Sequence, residues 1–179
     1  QGEGNQQLNA PKLAGQEDWY LRRQLEYFKT GVRGTGPGDT FGMAMGPMAN
    51  TLVDEAAVEN VIAYIQTFPD DPPTKTVVGD IENGKDIYNT CAVCHGQQGE
   101  GYAFMNAPRQ AGLDDWYLVT QLKNFRSGAR GAHSGDAYGM QMNMMAAILN
   151  TDQAINDVVA YINTLEGPVE QTNELAVVE

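Results

Sequence analysis

Apolar residues recur with a helical period in two stretches that look alike. Leu21, Leu25 and Phe28 fall at i, i+4 and i+7, as do Leu118, Leu122 and Phe125, so each trio lines one face of a predicted helix. Gly31 and Gly128 follow where such helices stop. Val58, Val61, Ile62 and Ile65, matched by Ile155, Val158, Val159 and Ile162, predict a second amphipathic helix in each stretch. A further helix, roughly Asp80 to Asn89, carries Ile81, Gly84 and Tyr88 on one face. Between the two helices of each stretch lies a segment rich in Gly, Asp and Met with neither helical nor strand period, which reads as a loop. No alternating run of β-branched residues occurs, and the pattern predicts an all-α fold with long loops.

The likeness of the two stretches is a repeat. Shifting the chain by 97 positions aligns residues 1–68 with 98–165 without a gap, and 33 of the 68 pairs are identical. Gln1-Gly2-Glu3-Gly4 matches Gln98-Gly99-Glu100-Gly101, and Asp18-Trp19-Tyr20-Leu21 matches Asp115-Trp116-Tyr117-Leu118. Two homologous domains are expected, 1–70 and 79–167, with a Pro- and Asp-rich linker over 71–78 and a loose acidic tail over 168–179. The chain's 179 residues accommodate two small domains of about 90 residues each.

Composition narrows the function. With 23 acidic and 11 basic side chains the net charge is −12, which argues against nucleic-acid binding, where affinity comes from neutralising phosphates. No apolar run approaches the ~20 residues that cross a bilayer. Two cysteines, Cys91 and Cys94, exclude a disulfide framework.

Those two cysteines carry the chemistry. Cys91-Ala92-Val93-Cys94-His95 is the attachment signature of c-type haem: on a helical turn both sulfurs reach the porphyrin vinyl groups, and the following His donates an axial nitrogen to iron. A thioredoxin-like pair would need a βαβ setting, which the helical surroundings do not supply. A zinc site could be counted as Cys91, Cys94, His95 and His133, but adjacent Cys94 and His95 project poorly onto one tetrahedral metal. A second axial ligand is sought in the later Met-rich segment, where Met140, Met142, Met144 and Met145 all stand; Met43, Met45 and Met48 hold matching places in the first copy. Methionine is ordinarily core filler, but the density here is far above background. Thioether ligation leaves no open iron position and favours electron transfer over catalysis.

The run from Cys91 through Pro108, Ala111-Gly112, Tyr117-Leu118, Gln121-Leu122, Phe125, Gly128 and Arg130 to Met142, Leu149 and Ala160-Tyr161-Ile162 resembles class I cytochrome c. The resemblance is closest to the two-haem cytochrome c4-like family and the related cytochrome domains of respiratory oxidases, and it covers about 165 residues. It implies an axial Met seven residues before a Leu that precedes the last helix, hence Met142 before Leu149 and Met45 before Leu52. It also implies that the Pro108 carbonyl accepts the His95 ring N–H, with Pro11 at the matching place in copy one. The family's Pro-x-Leu-x-Gly is kept at Leu13 but reads Gln110 in copy two. Arg33 and Arg130 are candidates to neutralise haem propionates, as against a solvated helix face; Trp19 and Trp116 could donate to a propionate or serve as aromatic core.

Copy one has no Cys-x-x-Cys-His within the sequence: projected back, the motif would precede Gln1, as would the helix that carries it. The apolar face at Val58, Val61, Ile62 and Ile65 is then expected to lack its partner, and about 20 further residues with a second haem motif are expected before Gln1. The functional expectation is a non-enzymatic, periplasmic two-haem cytochrome passing single electrons from a respiratory donor complex to a terminal oxidase or reductase. An acidic surface would steer in an electropositive partner. The rivals are a fixed cytochrome subunit of an oxidase or dehydrogenase, and a haem peroxidase, which would need an open iron and distal acid–base groups.

Overall fold

The computed structural model describes residues 1–167; the tail expected over 168–179 lies outside them. Seven α-helices occur among the described residues: α1 Asp18–Thr30, α2 Thr40–Ala49, α3 Glu55–Ile65, α4 Ile81–His95, α5 Asp115–Ser127, α6 Ala137–Ala146 and α7 Asp152–Ile162. No strand forms among those residues, only isolated bridges at Asn5–Ala10 and Tyr102–Ala107. Helices α1–α3 make a first unit and α4–α7 a second, in which α5–α7 repeat α1–α3.

Two segments read as loops are helical. The Met-rich stretches form α2 and α6 because Asp39 and Asp136 cap them, their carboxylates accepting from the Gly42 and Gly139 backbone N–H. Met, Ala and Gly surround these helices on all sides, so no apolar stripe betrays them in the sequence. Helix α4 also runs farther than its pattern indicates, through Cys91 to His95, and Gly96 ends it at φ 85°.

The second unit is built on the crossing of α4 and α7. Tyr88, Ala92, Ile155, Val158, Val159 and Ile162 are buried together with Leu113, Leu118 and Leu149. Each fully buried aliphatic contributes about 1.5–3 kcal/mol. The helices approach at Gly84, and Tyr88 packs 5.3 Å from Tyr161, ring centre to ring centre. The buried Asp157 carboxylate fastens the start of α4 by accepting from Asp80 N and Asn83 Nδ2, both at 2.7 Å.

The first unit corrects one expectation. Val58, Ile62 and Ile65 are not left without a partner: α3 buries them against Leu21, with Leu25, Leu52, Val61 and Phe68 at the margin. The face of α3 that points toward α1 is therefore a separate contact from the one that α7 makes with α4. Tyr64, the counterpart of Tyr161, is 57% exposed.

The linker is strapped down at both ends. Asp70 accepts from Lys12 Nζ of the first unit and Arg109 Nη1 of the second, each at 2.5 Å. Farther on, the buried Asp115 carboxylate accepts from the Thr76 and Val77 backbone N–H and from Asn163 Nδ2. Its burial works against ionisation, but those hydrogen bonds outweigh it and hold the carboxyl below its ordinary value.

Candidate functional site

The last turn of α4 places Cys91, Cys94 and His95 on one wall of a deep cleft. The loop Asn106–Gln110, α5, α6 and α7 form the other walls of the second unit, and Gln16, Tyr20, Arg23 and Gln24 of the first unit close one side. The cleft holds about 1310 Å³ of empty space including the solvent at its mouth. Leu113, Leu118, Leu122, Phe125, Leu149, Val158 and Ile162 make much of the lining apolar.

His95 is 4% exposed, and its Nδ1 lies 2.7 Å from the Pro108 carbonyl oxygen. A carbonyl only accepts, so Nδ1 carries the proton and Nε2 keeps its lone pair. Burial pushes the imidazole pKa down, partly offset by that hydrogen bond, so the ring is neutral at pH 7. Burial pushes the Cys91 thiol up to about 11, with Cys94 adding to the rise. At neutral pH Cys91 is therefore protonated, which disfavours dithiol redox chemistry. His133 stands outside the cleft in an exposed loop, its Nδ1 accepting from Gly135 N. Among the described residues no three His, Cys, Asp or Glu are arranged to hold a metal ion, so the four-ligand zinc count fails.

Met142 on α6 is half-buried and lines the cleft together with Met145, whereas Met140 and Met144 do not line it. The tryptophans are not in the cleft: Trp116 packs edge-on against Tyr117, and Trp19 against Tyr20. One residue along each helix, 100° around the axis, it is Tyr20 and Tyr117 that face it. Met45, Pro11 and Arg33 of the first unit do not line the cleft.

Arg33 and Arg130 are both buried, and they bind across the two units in a crossed pattern. Arg33 donates to Gln24 Oε1 of its own unit and to Tyr117 Oη and Gln121 Oε1 of the other. Arg130 donates to Gln121 Oε1, and to Tyr20 Oη and Gln24 Oε1 across the interface. Burial pushes the Tyr117 phenol up, but the charges of Arg33 and Arg130 outweigh it and bring the pKa below its ordinary value. The same exchange recurs nearby: Lys12 N donates to Asp114 and Arg109 N to Glu17, at positions equivalent under the repeat. Tyr20, Gln24, Tyr117 and Gln121 are identical in both copies, and Tyr117 and Gln121 belong to the run that carries the family resemblance, but nothing in the sequence marked them as interface partners. Arg130 lines the cleft, and its Nε is buried without a hydrogen-bond partner among the described residues. An unpaired cationic donor at the edge of an apolar cleft suits an anionic substituent on a flat apolar ligand, so the donor set fits haem.

The Asp70 strap predicts a pH effect. Burial alone raises the Asp70 pKa, but the hydrogen bonds and charges of Lys12 and Arg109 outweigh it and leave the carboxyl below its ordinary value. Its contribution to stability is thus present above the unfolded value of about 3.9 and lost as pH falls through the lower folded value. The stability difference between the protein and Asp70→Asn, measured by denaturant unfolding, should be present at pH 7 and shrink below about pH 4. Glu17 and Asp114, both raised by burial, act with the opposite sign, and the comparison cancels them.

The family model for cytochrome c matches residues 1–69 and again 81–166. Cytochrome c4 of Azotobacter vinelandii is 29% identical over 171 residues, covering 89% of this chain and 77% of that protein. The solved structure of Acidithiobacillus ferrooxidans cytochrome c4 superposes with a TM-score of 0.69 at 29% identity, covering 87% of this chain and 88% of the other. A protein of Stutzerimonas stutzeri strain A1501 described as a thiosulfate dehydrogenase electron acceptor is 30% identical over 142 residues, 72% of this chain and 61% of its own length. The chain belongs to the cytochrome c family, as a two-domain cytochrome c4-like electron-transfer protein with covalently bound haem c.

Proposed function

We propose that Cys91 and Cys94 anchor the haem as thioethers and that His95 and Met142 are its axial ligands, in a chain that carries electrons rather than catalysing a reaction. The observation that carries this reading is the convergence on one cleft of both sulfurs, the His95 ring and Met142 from the opposite helix. Haem bound there supplies a one-electron iron couple. The protein's residues do the rest. Pro108 fixes the His95 tautomer and aims Nε2. The leucines of α5 and the aliphatics of α7 exclude water from the site. Arg130 offers its unpaired Nε to a propionate. Held by His95 and Met142, the iron would keep no position free for a substrate, which separates this reading from a peroxidase.

The proposal takes 1–70 and 79–167 as the domains and 71–78 as the linker. Met45 and Pro11 hold in the first unit the stations of Met142 and Pro108, which suits a family with two haems. The periplasm is the proposed compartment, and no described helix is long and apolar enough to cross a membrane. The proposed partners are a respiratory donor complex and a terminal oxidase or reductase; the relative described as an electron acceptor of thiosulfate dehydrogenase supports a dehydrogenase as donor. The test is pigment retention. Haem should remain with the chain in acidified acetone and give a c-type pyridine haemochrome, and release of the pigment would overturn the attachment.

A further inference from the structure

The inter-unit network is close to symmetric, and Arg23 is one place where the symmetry breaks. Its counterpart under the repeat is Thr120, so the second unit sends no equivalent cation into the first. From α1 of the first unit Arg23 reaches the second, donating from Nη1 to Asn106 Oδ1 at 2.8 Å and from Nη2 to the Asn106 carbonyl at 3.1 Å. Asn106 is left-handed, φ 56°, and stands two residues before Pro108, whose carbonyl holds His95. The same guanidinium lies 4.8 Å from the ring centre of Tyr138, at the start of the helix that carries Met142. It therefore touches both the His side and the Met side of the cleft, which it lines, and its Nε is buried without a partner among the described residues.

We propose that Arg23, a residue of the first unit, sets the reduction potential of the haem held by the second unit. The proposal rests on the haem assignment above. The charged lining of the cleft is Arg23, Arg109, Arg130 and Asp136. Arg109 is ion-paired with Asp70, and Asp136 caps α6. Arg130 donates only to Tyr and Gln side chains, and Arg23 only to Asn106. Arg23 is thus a positive charge delivered in trans that pairs with no carboxylate among the described residues. Reduction adds one electron to the iron, so a fixed positive charge nearby favours the reduced state, and burial of the Arg23 Nε limits its screening by water.

Potentiometric titration of the intact holoprotein, following the haem absorbance, tests this. Arg23→Gln keeps most of the stem and a donor but removes the charge. It should raise the oxidised-to-reduced ratio at fixed poise about fivefold, equivalent to a midpoint about 40 mV lower at 59 mV per tenfold. Arg23→Lys keeps the charge and should recover at least half of the shift, which loss of packing alone would not permit. A midpoint unchanged in haem-bearing Arg23→Gln, or a Lys variant as low as the Gln variant, overturns the proposal. Should Arg23→Gln not yield a folded holoprotein, Asn106→Gly keeps the left-handed turn and removes the anchoring side chain. The released guanidinium should then give at least a twofold change in the same direction, and an unchanged ratio overturns the proposal there too. Loss of the pigment from the unaltered protein in acidified acetone would instead sink the haem assignment, and this inference with it.

Discussion

Met142→Ala should abolish the near-infrared sulfur-to-iron band and lower the midpoint potential of the second unit's haem by on the order of a few hundred millivolts. That size is set by the range of about 0.8 V over which axial ligands tune haem. On the proposed assignment the side chain faces the His95 wall from α6, and Ala at that place removes the thioether while leaving Cys91, Cys94 and the Pro108-held imidazole untouched. Haem should therefore stay covalently attached, and the pyridine haemochrome yield should equal that of the parent. Met145 also lines the cleft and is the control: Met145→Ala should keep the band. A band that survives in Met142→Ala and vanishes in Met145→Ala would move the ligand by one turn of α6. The folding penalty should be modest, about 1–2 kcal/mol, because Met142 is only half-buried.

Gly84→Ala should destabilise the second unit by about 3 kcal/mol, seen as a lower denaturant midpoint. Helix propensity alone predicts the opposite sign, a gain of about 1 kcal/mol inside α4. The deciding quantity is the distance between two backbones. A Cβ on Gly84 would stand 2.0 Å from the Asp157 carbonyl oxygen and 2.6 Å from its carbon, with Tyr161 Cβ at 2.9 Å. None of those atoms belongs to the free end of a flexible side chain, so α4 and α7 must separate. Separation would loosen Tyr88 from Tyr161 and Ile155 from its core, and would break the Asp157 bonds to Asp80 and Asn83. A midpoint equal to or above that of the parent would show that the crossing yields more easily than its geometry indicates. Because Cys91 and His95 end the same helix, the displaced variant should also show reduced haem incorporation.

How much of this was legible in the sequence differs from residue to residue. The repeat announced two related units, and the 3.6-residue spacing of Leu118, Leu122 and Phe125 or of Ile155, Val158, Val159 and Ile162 announced helices with one buried face. Cys91-Ala92-Val93-Cys94-His95 announced its chemistry because thioether attachment and axial ligation need those residue types on one helical turn. Helices α2 and α6 stayed hidden because their Met, Gly and Ala residues form no apolar stripe: α6 turns Met142 and Met145 to the cleft, and Phe41, Met43, Met45 and Met48 of α2 are exposed. Of the two readings that the sequence leaves open for Trp116, its edge-on packing against Tyr117 fits aromatic core. A rotation of one residue along α5 puts Tyr117 and Gln121 at the cleft instead.

The sequence by itself determined helical class, duplication and the chemistry of the pentapeptide, because each depends on spacings within a few residues or on a fixed offset of 97. Only the tertiary structure decided that the first unit forms a wall of the second unit's cleft. It alone showed that Arg33 and Arg130 exchange partners between units, that Asp70 joins Lys12 to Arg109, and that Arg23 crosses where Thr120 does not return. Those contacts join residues as many as 110 positions apart. Their formation depends on how two packed bodies face each other, a property of buried area and charge placement in three dimensions that no local periodicity encodes.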